Sequence, residues 1–262
     1  MYKNIASKGF KIQKLDDLTP ILKIKDIIYK IFNGKENLLN TDKFRKKLLI
    51  CQDLINNKKL HLDIVKSNKS FFLELFEIKN LNALSMQTVV YFRGVRPSVK
   101  KNSEFIGYHR ENFYNDFEYI NKQINIHIPI QGYTRRSAMR YIPNSHKIDD
   151  RKLEFYKLNS KKSKIKKFSV SHKIGLPYNP KIITGGINIA KSRRCNLKEG
   201  QMFVFTSKLL HGGGQNLNKK KTRFSVDFGL ILKKDVIKDN KKFHFASYKK
   251  TKEHYCPISS SY

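Results

Sequence analysis

The sequence predicts a mainly β fold, a sandwich or jelly roll, with a helical layer packed on one sheet, so that the chain is α+β overall. Three observations carry this. Up to residue 85 apolar residues recur at helical spacing; beyond Met86 they fall into short β-rich stretches; and turn residues divide those stretches at the intervals of a many-stranded sheet. The expected organisation is one domain. Residues 1–85 form the helical layer, 86–235 the β core with a long basic loop at 157–180, and 236–262 a C-terminal extension.

Taken in order, Ile21, Leu22, Ile24, Ile27, Ile28 and Ile31 recur at three, four and seven and predict the first long helix. Asn40-Thr-Asp is a helix-start signal for a second, in which Phe44, Leu48, Leu49, Cys51 and Leu54 share a face. A third helix is expected over about His61 to Leu75. Strands are expected at Gln87 to Phe92, Gln123 to Pro129, Ala138 to Ile142, Phe168 to Val170, Met202 to Phe205 and Arg223 to Leu232. Gly94, Pro97, Gly132, Pro143-Asn144, Gly185-Gly186 and Glu199-Gly200 supply the turns between them.

Composition narrows the classes. The 262 residues are 39% hydrophobic and include 18 Phe and 13 Tyr, which excludes a solvated, disordered polyelectrolyte. No apolar run approaches the roughly 20 residues of a membrane span. The N-terminus lacks the apolar core of a signal peptide, so a cytoplasmic protein is expected. Three scattered cysteines, Cys51, Cys195 and Cys256, fit neither a disulfide frame nor a zinc knuckle and are read as reduced and structural.

The net charge of +33, from 54 Lys plus Arg against 21 Asp plus Glu, has two readings. It is a footprint for a polyanion or anionic substrate, or it is the lysine drift of an AT-rich coding sequence. The densest run, Lys161 to Lys167, falls in an expected loop, and no nucleic-acid-binding motif accompanies it.

Two segments carry the chemistry: Gly107-Tyr-His-Arg-Glu-Asn-Phe-Tyr114, and Leu210-His-Gly-Gly-Gly-Gln-Asn216 with Thr222-Arg-Phe-Ser-Val-Asp227 after it. A ferrous non-haem centre needs two neutral imidazoles and one carboxylate on one octahedral face. His109 and Glu111 are spaced to converge from a strand end and its turn, and His211 would complete the set. By itself the His-x-Glu pair is unspecific among eight histidines. Arg223, Ser225 and Asp227 alternate with Phe224, Val226 and Phe228, so one face is polar and the other apolar. An inward arginine with a serine two residues on suits the far carboxylate of a small dicarboxylic acid. The other reading is a surface strand with Arg223 and Asp227 outward.

With these residues in view, the chain resembles the iron(II)- and 2-oxoglutarate-dependent dioxygenases of the phytanoyl-CoA dioxygenase type over roughly residues 86–232. The resemblance rests on Phe92-Arg-Gly-Val-Arg-Pro97, His109-x-Glu111, Ile126-His-Ile-Pro-Ile130, Tyr141-Ile-Pro-Asn-Ser-His146, Glu199-Gly200, His211 with Gly212 to Asn216, and Arg223-x-Ser225. It implies a double-stranded β-helix, a cupin-like barrel. It also implies Fe(II) held by His109, Glu111 and His211, and 2-oxoglutarate held at its far carboxylate by Arg223 and Ser225, with Asn125 a further co-substrate contact. O2 is the third reactant. Glu111 replaces the commoner aspartate. Because a carboxylate occupies the position that a halide takes in halogenating relatives, the resemblance implies hydroxylation or a related oxidation of a small organic substrate, and the positive charge, where it serves capture, makes that substrate an anionic one. The alternative from another class is a nucleic-acid-directed oxygenase or a basic nucleic-acid-binding protein.

His146 is expected in the pocket wall or a turn beside it, and His127 in a structural role or at the barrel mouth. His61, His172, His244 and His254 are expected as surface or packing residues. Arg93 and Arg96 are expected at the rim, on substrate anions or on carboxylates.

Overall fold

The computed structural model describes residues 3–97, 106–113, 118–157, 165–177, 181–238 and 255–258. A short helix α1 (Lys3–Ala6) leads into strand β1 (Phe10–Lys14), and four helices follow: α2 (Thr19–Phe32), α3 (Thr41–Asn57), α4 (Leu60–Ser67) and α5 (Lys69–Phe76). Asn40 caps α3 as its sequence signal predicts, its side-chain oxygen accepting from the Lys43 N–H at 2.9 Å. The single helix expected over His61 to Leu75 is two. Asn68 breaks it because its buried amide is spent elsewhere, accepting from the Asp16 N–H at 2.8 Å and donating to the Ile64 carbonyl at 2.7 Å.

The β elements are β2 (Leu84–Gln87), β3 (Tyr91–Val95), β4 (Ile124–Gln131), β5 (Arg140–Tyr141) and β6 (Glu154–Lys157). After helix α6 (Val170–Lys173) come β7 (Lys181–Gly185), β8 (Arg193–Arg194), β9 (Gln201–Thr206), β10 (His211–Gly212), β11 (Arg223–Leu232), helix α7 (Lys233–Lys238) and β12 (Tyr255–Pro257). They form a seven-stranded sheet in the order β1-β9-β4-β11-β2-β12 with β3 also paired to β11, a three-stranded sheet β10-β5-β8, and the hairpin pair β6-β7. Every strand pairing among the described residues is antiparallel. The architecture is mostly antiparallel sheet with helices.

Strand β11 runs over Arg223–Leu232, as its alternation predicts. The expected strand from Gln87 to Phe92 is instead the junction of β2 and β3, which meet β11 at different levels. Phe168 to Val170 is not a strand. Phe168 has φ 63°, and Ser169 caps α6 through the His172 N–H. The expected loop at 157–180 is therefore part helix, set between the arms of the β6-β7 pair; Lys161, Lys162 and Lys164 lie outside the described residues. Strand β1, which no apolar run announced, lies at the sheet edge against β9, and β12 adds a strand from the C-terminal extension.

The central strands have two unlike faces. Ile126, Ile128, Phe224 and Val226 join the helices' Ile24, Phe32, Phe44 and Leu48 in one apolar core. Their neighbours Asn125, His127, Arg223 and Ser225 are as deeply buried but polar, and line a cavity. A one-residue slip of either strand would exchange these faces. No helix among the described residues is long and apolar enough to cross a membrane.

Candidate metal centre and its cavity

His109 and His211 exchange backbone hydrogen bonds, His109 N–H to His211 O at 2.9 Å and His211 N–H to His109 O at 3.1 Å. This isolated antiparallel bridge brings the two imidazoles to 4.4 Å between ring centroids. It needs Gly212. A Cβ there would meet the Gly107 carbonyl carbon and oxygen at 2.8 Å, too close for any side chain. Glu111 enters through the next turn, its N–H bonded to the Ser207 carbonyl at 3.1 Å.

The donor atoms of His109, Glu111 and His211 all lie within 4.8 Å of one another. Glu111 Oε1 is 3.7 Å from His109 Nε2 and 3.3 Å from His211 Nε2. Each histidine is turned by its other nitrogen: Nδ1 of His109 lies 2.7 Å from the Gly107 carbonyl, and Nδ1 of His211 lies 2.9 Å from the Leu209 carbonyl. An Nδ1–H donating to a carbonyl leaves the Nε2 lone pair free, which is the tautomer a metal requires. Burial, then the neighbouring His211, lower the pKa of His109 and favour its neutral form. Burial opposes ionisation of Glu111, but its closeness to the His109 and His211 rings outweighs it and holds the carboxyl well below the usual carboxylate range. Two neutral nitrogens and one anionic oxygen aimed at one point suit a divalent transition metal.

The set opens on a cavity of about 460 Å³. On its floor Arg223, 3% exposed, has no carboxylate partner among the described residues. It donates to the carbonyls of Ser137 and Gly214, and its Nε has no partner. The Ser225 hydroxyl and Asn125 Nδ2, both buried in the same lining, are also unpartnered. A buried guanidinium without a counter-ion costs several kcal/mol unless an anion joins it. The inward reading of Arg223, Ser225 and Asp227 therefore describes the strand, and the surface-strand reading does not.

Other residues fall differently. His127 lines the cavity and is paired with Asp227, Nδ1 to Oδ1 at 2.5 Å. Arg93 Nε is 3.3 Å from the other oxygen of Asp227. Burial opposes the charge on Asp227, and His127 and Arg93 outweigh it, so its pKa is lowered. His146 is turned away from the cavity, Nε2 at 2.9 Å from the Ala6 carbonyl, and Arg96 binds the Leu39 carbonyl and covers Phe44. His172, expected as ordinary, lines the cavity through α6. His61 is buried in α4 against Phe228. His244 and His254 lie outside the described residues. Lys181 is a further cavity residue, outside every motif of the sequence. It lines the cavity at the start of β7, with Nζ over the rings of Phe113 and Phe155 at 5.5 and 5.2 Å. No motif marks it, because only the β6-β7 pairing carries it there.

A family model described as phytanoyl-CoA dioxygenase (PhyH) matches residues 95–225. Among solved structures, the fold is similar to EvdO2 from Micromonospora carbonacea var. aurantiaca, at 11% identity over 87% of this chain and 88% of that one, with a TM-score of 0.55. For EvdO2 complexed with 2-oxoglutarate the TM-score is 0.53. The fold is also similar to the apo form of the non-heme monooxygenase ThoJ, at 14% identity over 88% of this chain and 76% of that one, with a TM-score of 0.52. At these identities the likeness is one of fold. None of the curated proteins matches the chain by sequence.

Proposed function

Because the chain belongs to the phytanoyl-CoA dioxygenase family, whose model spans half of it, we propose that it is an iron(II)- and 2-oxoglutarate-dependent hydroxylase of a small, anionic organic molecule. The observation that carries this reading is the convergence of His109, Glu111 and His211 beside a buried arginine, Arg223, with no carboxylate partner among the described residues. In this reading the three side chains hold Fe(II), and the seven-stranded and three-stranded sheets are the two halves of a double-stranded β-helix. When bound, iron and 2-oxoglutarate supply the oxidation, in which O2 is consumed, succinate and carbon dioxide are formed and a substrate C–H bond becomes C–OH.

The residues of the chain bind and orient. Arg223 Nε and the Ser225 hydroxyl are unpartnered donors on one face of β11, matched to the far carboxylate of 2-oxoglutarate. Asn125 Nδ2 is a third free donor on the neighbouring strand. The fold shared with EvdO2, which has been determined with 2-oxoglutarate, supports the same co-substrate. An anionic substrate is supported by Lys181, a cation that lines the cavity without a carboxylate partner among the described residues. The test is succinate release from 2-oxoglutarate by iron-loaded protein, in air and under nitrogen, against a panel of small acids. Air-dependent release stimulated by a panel member, with a hydroxylated product, is expected. No 2-oxoglutarate turnover under any condition would overturn the reading.

A further inference from the structure

The floor of the cavity holds one polar atom that 2-oxoglutarate cannot satisfy. His127 is 4% exposed and stands directly opposite Asp227 in the β4-β11 register. Its Nδ1 is bound by Asp227, while Nε2 is buried without a partner among the described residues. Asp227 is itself held: its second oxygen faces Arg93 Nε, and Arg93 Nη1 donates to the Ile174 carbonyl at 2.8 Å. The imidazole of His127 faces that carboxylate through Nδ1, whose hydrogen Asp227 Oδ1 accepts. It keeps its hydrogen on Nδ1 and leaves Nε2 as an acceptor.

The other unpartnered atoms of this floor, Arg223 Nε, the Ser225 hydroxyl and Asn125 Nδ2, can all donate and match an acid whose oxygens only accept. An acceptor among them requires a different ligand. A buried acceptor left unpaired is costly, and a site built to bond an O–H discriminates strongly against analogues lacking it. We propose that Arg93, Asp227 and His127 form a buried relay that fixes His127 Nε2 as a hydrogen-bond acceptor for a hydroxyl group of the substrate, so that the substrate is an alcohol or polyol. This rests on the oxygenase reading for the identity of the other ligand. His127 touches the substrate; Asp227 and Arg93 are positioning residues acting through it.

The test is side-chain nitrogen NMR of His127 in protein loaded with zinc(II), a diamagnetic stand-in, and 2-oxoglutarate. The probes are ethanol, glycerol, xylitol and myo-inositol, each with its fully O-methylated counterpart; the smallest of them are small against a 460 Å³ cavity. Without alcohol, Nδ1 is expected protonated and Nε2 bare. At least one alcohol is expected to shift the Nε2 resonance where its ether does not, with a half-saturation about tenfold weaker in Asp227→Asn. Should that variant not fold, Arg93→Gln, which loosens the same carboxylate, carries the same expectation. A proton on Nε2, no shift with any alcohol, equal shifts with the ethers, or unchanged half-saturation in a folded variant would overturn the proposal. Failure to bind zinc would instead sink the metal centre, and the His127 resonance would still be readable.

Discussion

Glu111 Oε1 lies 3.3 Å from His211 Nε2, although the two belong to different halves of the chain and no strand of the large sheet carries either. The backbone bridge between His109 and His211 makes that contact, and Gly212 permits the bridge by admitting the Gly107 carbonyl where a Cβ would stand. The donor set is thus built on main-chain hydrogen bonds, with the backbone carbonyls of Gly107 and Leu209 accepting from the imidazole Nδ1–H groups and so setting the tautomers.

Arg223→Ala is expected to weaken 2-oxoglutarate binding far more than metal binding. The change removes one partner of a buried ion pair, worth about 2 to 5 kcal/mol, or at least about thirtyfold in affinity. Calorimetric titration of both ligands checks it, and equal co-substrate affinity in wild type and variant would remove Arg223 from the co-substrate site.

Substrate capture is expected to depend on Lys181. In Lys181→Met the KM for an acidic substrate should rise severalfold with its salt dependence flattened, because the cation lies inside the cavity, where screening over about 8 Å acts less than at the surface. Neutralising Lys161, Lys162, Lys164, Lys166 and Lys167 together tests the basic run separately. Turnover that ignores both salt and the five changes would assign that run to compositional drift.

Acid is expected to destabilise the fold through His61. Burial holds its imidazole down at about 4, from the ordinary 6.5, and Nδ1 has no partner among the described residues. Since the folded pKa lies below the unfolded one, the contribution is complete above pH 6.5 and is lost as the pH falls from there towards 4. The shift corresponds to about 3 kcal/mol. Denaturant titrations at pH 7 and pH 4 should show this loss in the wild type and a smaller one in His61→Leu; parallel losses would refute it.

The long helices and the strand from Arg223 were legible because each keeps one periodicity along its whole length, with Phe224, Val226 and Phe228 set against Arg223, Ser225 and Asp227. The same alternation, joined to the family resemblance that assigns His109, Glu111 and His211, made the candidate site readable as a set of residues. What could not be read is whatever depends on register. Strand β10 is two residues long and exists through its pairing with β5 and the bridge to His109, so no pattern within it announces a strand. Strand β1, with Lys11 and Gln13 in its middle, is stabilised by pairing with β9 at a sheet edge. His127 and Asp227 are distant in sequence and meet as cross-strand partners, while His172 and Lys181 reach the cavity on an insertion whose path the sequence does not state.

The most direct test of the account is metal analysis of protein reconstituted anaerobically with iron(II) and then desalted, for wild type, His211→Ala and a His127→Asn control. One iron per chain in the wild type and the control, and less than a tenth of that in a folded His211→Ala, is the predicted result, because two donors cannot keep the facial geometry of three. Full iron occupancy in His211→Ala, or none in the wild type, would contradict it.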